Sequence, residues 1–366
     1  MIRLVENDLK LGVPAPFDMY DGAGKLLLKK GYVLETDHQL SVLVKNGLYC
    51  RQSHQPVSAI VVLQRELKLH ESLAQIIRKK VACPDLETRY MNSALTILNT
   101  IQQDRNASRA FVFFSKTPDN YPLQHSLDTA IVSACLGLSL GLTRNDLLDI
   151  IAASLTMNVS MLNLQQQLHA KAETLSEDER AKIRNHPAMS RTLLEQAGIT
   201  SAKWLDYVLC HHEKIDGSGY PAKLTGNDIP EGARIIGFAD RYMAMVSPRQ
   251  YRSGLMPAVV MKQLLLYEGN SLDLNHIGAL TRAIGIYPPG TVTKLRNGET
   301  AIVTASSGLG MAPRVKAFLD VNGKPLPRPV SRDTGSGGQR IAQAIYLARE
   351  NIPFDLMTLS GQDFHE

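Results

Sequence analysis

The stretch that most narrows what this chain can fold into is His211-His212-Glu213-Lys214-Ile215-Asp216-Gly217-Ser218-Gly219-Tyr220-Pro221. Apolar residues at helical spacing lead up to the two histidines, and glycine and proline then stop the helix from continuing. A helix therefore ends at a defined point, carrying two imidazoles into a turn. Histidine is favourable near a helix C-terminus simply as a cation. Two in a row entering a Gly/Pro-rich turn also suit a divalent ion, because neutral imidazole ligates first-row metals and a bound cation activates water near neutral pH.

The flanking chain reads as helix after helix. Ile60, Leu63, Leu67, Leu73, Ile76 and Ile77, and after Cys83-Pro84 also Met91, Leu95, Leu98 and Ile101, recur at helical spacing. No heptad persists, so helices packed on the next domain are favoured over a dimerising coiled coil. The small, apolar run from Ser126 to Leu140 stops at Gly141, and Thr143 can cap the helix that follows. Ser176 and Glu179 form a capping box for the helix carrying His186. Helices over Trp204 to His212 and Ile235 to Val246 complete an all-α bundle with short connections.

Both ends have a different texture. Residues 1–57 read as a small β-rich module, with a turn at Asp21-Gly22-Ala23-Gly24 and a short helix after Thr36 over Leu40, Leu43 and Val44, ending at Asn46-Gly47. Residues 58–108 read as a helical connector, and 109–325 as the main domain, helical to about 285 and a β appendage over 286–325. Asn297-Gly298 and Asn322-Gly323 are hairpin signals there. Residues 326–366 read as a flexible linker and a short C-terminal helix over Ile341 to Arg349. The expected fold class is mainly α: a helical bundle with a small N-terminal α/β module and a small C-terminal β appendage.

Composition excludes several classes of protein. No run approaches the roughly 18 to 20 apolar residues of a membrane span, and the N-terminus lacks the apolar core of a signal peptide, so a cytoplasmic protein is expected. Cys50, Cys83, Cys135 and Cys210 show no CxxC spacing and read as reduced thiols. Forty basic against 35 acidic residues leave a formal charge of +5. That mild bias suits an anionic ligand, and no dense basic run points to nucleic acid.

The string HHEKIDGSGYP, followed by Ile229-Pro230, Ala233-Arg234-Ile235-Ile236 and Phe238-Ala239-Asp240, resembles the HD-GYP family of bacterial cyclic di-GMP phosphodiesterases. The resemblance runs from about Tyr121 to about Phe318 and implies the helical bundle of the HD superfamily. It also implies metal ligands: His125 in Tyr121-Pro122-Leu123-Gln124-His125-Ser126, His186 in Asn185-His186-Pro187, the pair His211 and His212, and Asp240 of the "AD" motif.

The name-giving His-Asp pair is missing. Where the family reads HDIGK, this chain reads Met157-Asn158-Val159-Ser160-Met161, so Met157 replaces the His, Asn158 the Asp and Met161 the Lys. Two divalent ions would bring four positive charges to a set whose one matched carboxylate is Asp240. Asn158 offers only a neutral carbonyl oxygen, and the Met157 thioether is a soft ligand, poorly matched to Mn²⁺, Fe²⁺ or Mg²⁺. Tyr121 stands where some members carry a Glu for a third metal, and Met243 stands at the second Asp of "ADxxDA".

The loop Asp216, Gly217, Ser218, Gly219, Tyr220 and Pro221 is complete. It reads either as a structural turn or, by the resemblance, as a contact surface for diguanylate cyclase (GGDEF) domains and a wall of the nucleotide pocket. Arg234, and Arg249 and Arg252 in Ser247-Pro248-Arg249-Gln250-Tyr251-Arg252, are candidates for bidentate phosphate contacts. The expected function is a degenerate HD-GYP protein, catalytically impaired and acting as receptor, scaffold or regulatory partner in cyclic di-GMP signalling. The alternative is an active metal-dependent cyclic di-GMP phosphodiesterase with an atypical site. The expected cofactor is one divalent ion (Fe, Mn or Mg) at a residual site, or none. Expected partners are cyclic di-GMP, a GGDEF domain or other signalling protein, and a second copy in a homodimer.

Overall fold

Short apolar runs broken by turn residues build the first unit of the chain, Met1–Val57. Its strands β1 (Ile2–Arg3), β2 (Met19–Tyr20), β3 (Leu26–Leu28) and β4 (Tyr49–Cys50) form an antiparallel sheet in the order β1-β4-β2-β3. The Thr36 hydroxyl accepts from the Gln39 amide at 3.3 Å, as a helix cap does. The computed structural model describes residues 2–3, 18–21, 25–29, 31–36, 38–39, 41, 43, 49–50, 57–81, 83–114, 120–248, 253–306, 312–335, 337–347 and 351–354. The expected turn at 22–24, Leu40, Val44 and the stop at Asn46-Gly47 lie outside the described residues.

The second unit, Ser58–Glu366, is mainly helical. Its helices are α1 (Ala59–Arg78), α2 (Leu86–Gln103), α3 (Arg105–Phe114), α4 (Tyr121–Leu140), α5 (Arg144–Thr156), α6 (Leu162–Ala170), α7 (Glu177–Gln196), α8 (Ala202–Cys210), α9 (Glu231–Val246), α10 (Pro257–Glu268) and α11 (Leu274–Ile284). Helix α4 is apolar on nearly every side, and it lies at the centre, packed by α5, α6, α9 and α11. It stops at Gly141, whose φ of +80° favours glycine. The Thr143 side chain then accepts from the Asp146 amide to start α5. The Ser176–Glu179 capping box starts α7, and Ser201 caps α8 by accepting from the Trp204 amide.

The connector proves to be part of the bundle. Ile60, Leu63 and Ile77 of α1 and Tyr90, Ile97 and Leu98 of α2 belong to one core with α4, α5 and α8. Tyr90 meets the buried Trp204 edge to face at 5.7 Å, and the Trp204 indole N–H donates to Thr156 Oγ1 at 2.8 Å. Helices 58–108 therefore buttress the C-terminal end of α5, where Met157 and Asn158 stand.

The C-terminal end corrects the expected linker and final helix. Residues Pro325–Asp333 form β8 and Ile341–Ala344 form β9, the two edges of an antiparallel sheet ordered β8-β7-β6-β5-β9 with β5 (Val292–Leu295), β6 (Thr300–Ala305) and β7 (Arg314–Leu319). Pro327 and Pro329, with the Ser, Gly and Arg residues around and after them, made residues 326–340 read as a linker. An edge strand tolerates the prolines, because one side of its backbone needs no ladder partner. Arg349 lies outside the described residues. The hairpins at Asn297-Gly298 and Asn322-Gly323 form as expected, with Gly298 at φ +93° and Gly323 at φ +79°. One face of the sheet, through Val292, Ile302 and Phe318, joins the core of the bundle.

Candidate functional site

Two helix segments bring three imidazoles to one point. His186 comes from the middle of α7, and His211 and His212 follow the last residue of α8. The three offer ring nitrogens that all lie within 4.8 Å of one another. Nδ1 of His186 donates to the Ile183 carbonyl at 2.6 Å, and Nδ1 of His211 donates to the Val208 carbonyl at 2.7 Å. A carbonyl can only accept, so both protons sit on Nδ1 and both Nε2 atoms carry lone pairs. Those Nε2 atoms face each other at 3.2 Å. Two lone pairs that close repel unless a cation lies between them, and a backbone carbonyl on the far nitrogen is the usual orientation of a metal-bound imidazole.

Asp240 supplies the carboxylate from α9, and its Oδ1 lies 2.7 Å from Nε2 of buried His125 in the first turns of α4. Burial alone would raise the Asp240 carboxyl. The His125 hydrogen bond and the His125, His212 and His211 rings outweigh it and hold Asp240 well below the usual carboxylate range. Burial, aided by the neighbouring rings, keeps His212 and His186 neutral, the state in which they ligate metal. The three imidazoles are a donor set for a single first-row divalent ion, with the Asp240 carboxylate close enough to act on them through its charge. The residues present fit one such ion.

The positions for a second ion are chemically different. Met157 is fully buried and belongs to the hydrophobic core. Asn158 is buried, with no hydrogen-bond partner for its Oδ1 among the described residues, and Met161 sits at the start of α6. Tyr121 is stacked on His169 with ring centroids 3.7 Å apart, and Met243 is fully buried. A cavity of about 480 Å³ opens beside His125, lined also by Tyr121, Asp128, Phe113, His169 and Thr291.

The glycine-rich loop folds back on the histidines. Asp216 Oδ1 accepts from the Ser218 amide at 2.9 Å and hydroxyl at 2.7 Å, and Asp216 bridges to Thr225. Gly217 has φ +76°, and a side chain at Gly219 would stand 2.4 Å from the Lys214 nitrogen, so only glycine fits there. The loop's Tyr220, followed by Pro221, lays its ring 4.8 Å from that of His212. Arg234 does not stand free for a phosphate: its Nη1 pairs with Asp273 Oδ2 at 3.2 Å. Arg249 and Arg252 lie outside the described residues.

Sequence reasoning missed Glu213. Its buried carboxylate accepts from the amides of Ala222 at 2.6 Å and Leu224 at 3.0 Å, pinning the loop to the end of α8. The signal was available, since a Gly/Pro-rich turn leaves amides that an adjacent acid can satisfy. Glu213→Ala is expected to cost about 1–3 kcal/mol through those unpaired amides. Denaturant midpoints measure it, and an unchanged midpoint would remove Glu213 from this role. Also missed was Ser160, whose hydroxyl donates to the His186 carbonyl at 3.0 Å and accepts from Ser190 Oγ at 2.9 Å.

A pH dependence follows. Burial lowers His70 to about 4, and burial together with His211 lowers His186 to about 3, from an ordinary 6.5. Below 6.5 the unfolded chain takes up protons that the folded chain refuses. Stability of metal-free protein is therefore complete above that pH and declines as pH falls toward 4 and then 3, by about 1.4 kcal/mol per pH unit per histidine. Thermal melts across this range test it, and a melting temperature that rose on acidification would contradict it.

Comparison with known proteins agrees with this geometry. The family model described as HD domain matches residues 113–275. A cyclic di-GMP phosphodiesterase of Pseudomonas aeruginosa is 30% identical over 226 residues, covering 61% of this chain and 54% of that protein. The cyclic di-GMP phosphodiesterase PdeB of Borreliella burgdorferi is 26% identical over 186 residues, 51% of this chain and 49% of that protein. The chain thus spans about half the length of these curated relatives. Among solved structures, an HDGYP protein from Bdellovibrio bacteriovorus superimposes with a TM-score of 0.54 at 16% identity, over 76% of this chain and 97% of that one, and shares the fold. With the bundle, the histidine cluster and the glycine-rich loop in place, residues 113–275 match the HD domain model, and the chain is similar to curated cyclic di-GMP phosphodiesterases and shares the fold of a solved HDGYP protein.

Proposed function

We propose that this chain is a degenerate HD-GYP protein of bacterial cyclic di-GMP signalling, active in the cytoplasm, which binds one divalent cation and the nucleotide without hydrolysing it. It then acts as a receptor or regulatory partner, with the loop Asp216 to Pro221 as the surface that meets a GGDEF domain or another signalling protein. The observation that carries this reading is the chemistry at the end of α5, where a core-buried Met157 and a neutral Asn158 stand in place of a histidine and a carboxylate. His186, His211, His212 and Asp240 would hold the ion, Fe, Mn or Mg.

When bound, such an ion supplies Lewis acidity toward a phosphoryl oxygen. The chain's own residues orient and shield. The Ile183 and Val208 carbonyls fix the tautomers of His186 and His211, and Tyr220 covers His212. At 158 an amide stands where a carboxylate would organise an attacking water, and at 161 a thioether stands where a cation would hold the substrate phosphate.

The test is binding against turnover. Calorimetry with cyclic di-GMP on protein loaded with Mn²⁺ or Fe²⁺ should show a saturable complex, and chromatography of the same mixtures should show neither linear dinucleotide nor GMP. Steady release of either product would replace this reading with the second one, a one-metal phosphodiesterase. The converging set of three histidines, with the ionised Asp240 nearby, is what favours that second reading.

A further inference from the structure

The C-terminal sheet carries the net charge of the whole chain. Between residues 286 and 347 stand eight Lys and Arg against three Asp and Glu, an excess of five, equal to the chain's formal +5. The rest of the sequence is electrically balanced. The charges are scattered along the chain, and the sheet gathers half of the cations at one end.

That end is built from two adjoining turns and the approach to β9. Gly298 of the β5–β6 turn lies against Val321 of the β7–β8 turn, where an added Cβ would stand 3.5 Å from the Val321 Cβ. The Arg296 amide donates to the Arg340 carbonyl at 2.9 Å, and the Asn297 amide donates to the Gly338 carbonyl at 2.7 Å. Arg296, Arg340, Lys324 and Arg328 are all exposed here, and none of the four forms an ion pair among the described residues. The acids nearby are engaged: Glu299 is held by both Arg332 nitrogens at 2.7 and 2.6 Å, and Asp320 accepts from the Asn322 and Lys324 amides. Val321 projects from the same end, 57% exposed.

We propose that this end of the sheet docks on an anionic lipid surface, with Arg296, Lys324, Arg328 and Arg340 at the headgroup phosphates and Val321 entering the interface. Charge complementarity argues for an anionic partner, and two features favour a membrane over nucleic acid. No aromatic ring is exposed at this end among the described residues, so there is no platform for stacking bases. An exposed apolar side chain between cations matches a headgroup layer with hydrocarbon beneath it.

Each cation near such a surface contributes on the order of fivefold to partitioning, and the contribution falls with salt. The experiment is co-sedimentation of the full chain with phosphatidylcholine vesicles, with and without phosphatidylglycerol, at low and high NaCl. Pelleting is expected with phosphatidylglycerol at low salt, and neither without it nor at high salt. Lys324→Gln with Arg328→Gln should weaken binding by at least about tenfold, while Arg314→Gln, exposed at the opposite end of β7, should leave it unchanged. Thermal melts confirm that each variant is folded. No pelleting on phosphatidylglycerol, equal pelleting on phosphatidylcholine alone, or full binding by the folded double variant would overturn the proposal, as would a gel shift of duplex DNA without vesicle binding. Vesicle binding is independent of metal loading and of cyclic di-GMP turnover, so it stands or falls apart from the proposed function.

Discussion

Replacing Met157 with His and Asn158 with Asp is expected to raise metal content from about one ion per chain to two, and to bring cyclic di-GMP hydrolysis out of a silent background. The change adds an imidazole and a carboxylate at the end of α5, the segment buttressed by Trp204 through Thr156. A new carboxylate at 158 lets the site balance more of the charge of two ions. Since even an outer partner of a ligand alters affinity by about 10- to 100-fold, two restored ligands should tighten the second ion by more than 100-fold. Metal analysis after dialysis and chromatography of products measure both effects. The companion risk is a charged aspartate at a buried position, so metal-free double variant should be less stable than its parent and recover on loading. A folded variant that still holds one ion would show that these positions do not limit the site.

The second large effect is expected at a residue that offers no ligand atom of its own. Gly237 lies where α9 crosses the end of α8, and a Cβ there would stand 2.1 Å from the His211 carbonyl oxygen. That oxygen is backbone and has little freedom to yield, so Gly237→Ala must push α9 away from α8. Asp240 sits one turn further along α9, and the displacement moves it relative to the histidine cluster. Overpacking of this kind costs about 1–3 kcal/mol, and metal affinity should fall by at least about tenfold, as it does when a ligand is mis-oriented. Melting temperature and metal titration give the two readouts. Unchanged metal binding at reduced stability would mean that the spacing of α8 and α9 does not control the site.

The parts of this protein legible in its sequence are those set by local rules. Helix starts at Thr143, Ser176 and Ser201 follow from side chains that satisfy orphan amides, and Gly298 and Gly323 mark hairpins because they take a positive φ. The ordered motif around His211 and Tyr220 made the resemblance to HD-GYP proteins legible, with Met157 and Asn158 standing where those proteins carry the His-Asp pair. Local rules failed where an element's fate depended on its neighbours. The proline-rich stretch 325–333 is a strand because β7 offers it a ladder, and Arg234, which looked available for phosphate, is held by Asp273 from another helix. Glu213 was passed over because its two amide partners lie nine and eleven residues away along the chain.

The sequence by itself determined which chemistry is available: four histidines and one carboxylate at the matched positions, and no acid at 158. Only the tertiary structure decided that His125 and Asp240, 115 residues apart, touch, and that the lone pairs of His186 and His211 converge. It likewise decided that cations dispersed over the last strands meet at one end of a sheet. The physical reason is that side-chain chemistry and backbone propensity belong to each residue, whereas proximity between distant residues is set by how apolar helix and strand faces pack to leave water, and that packing is a property of the whole chain.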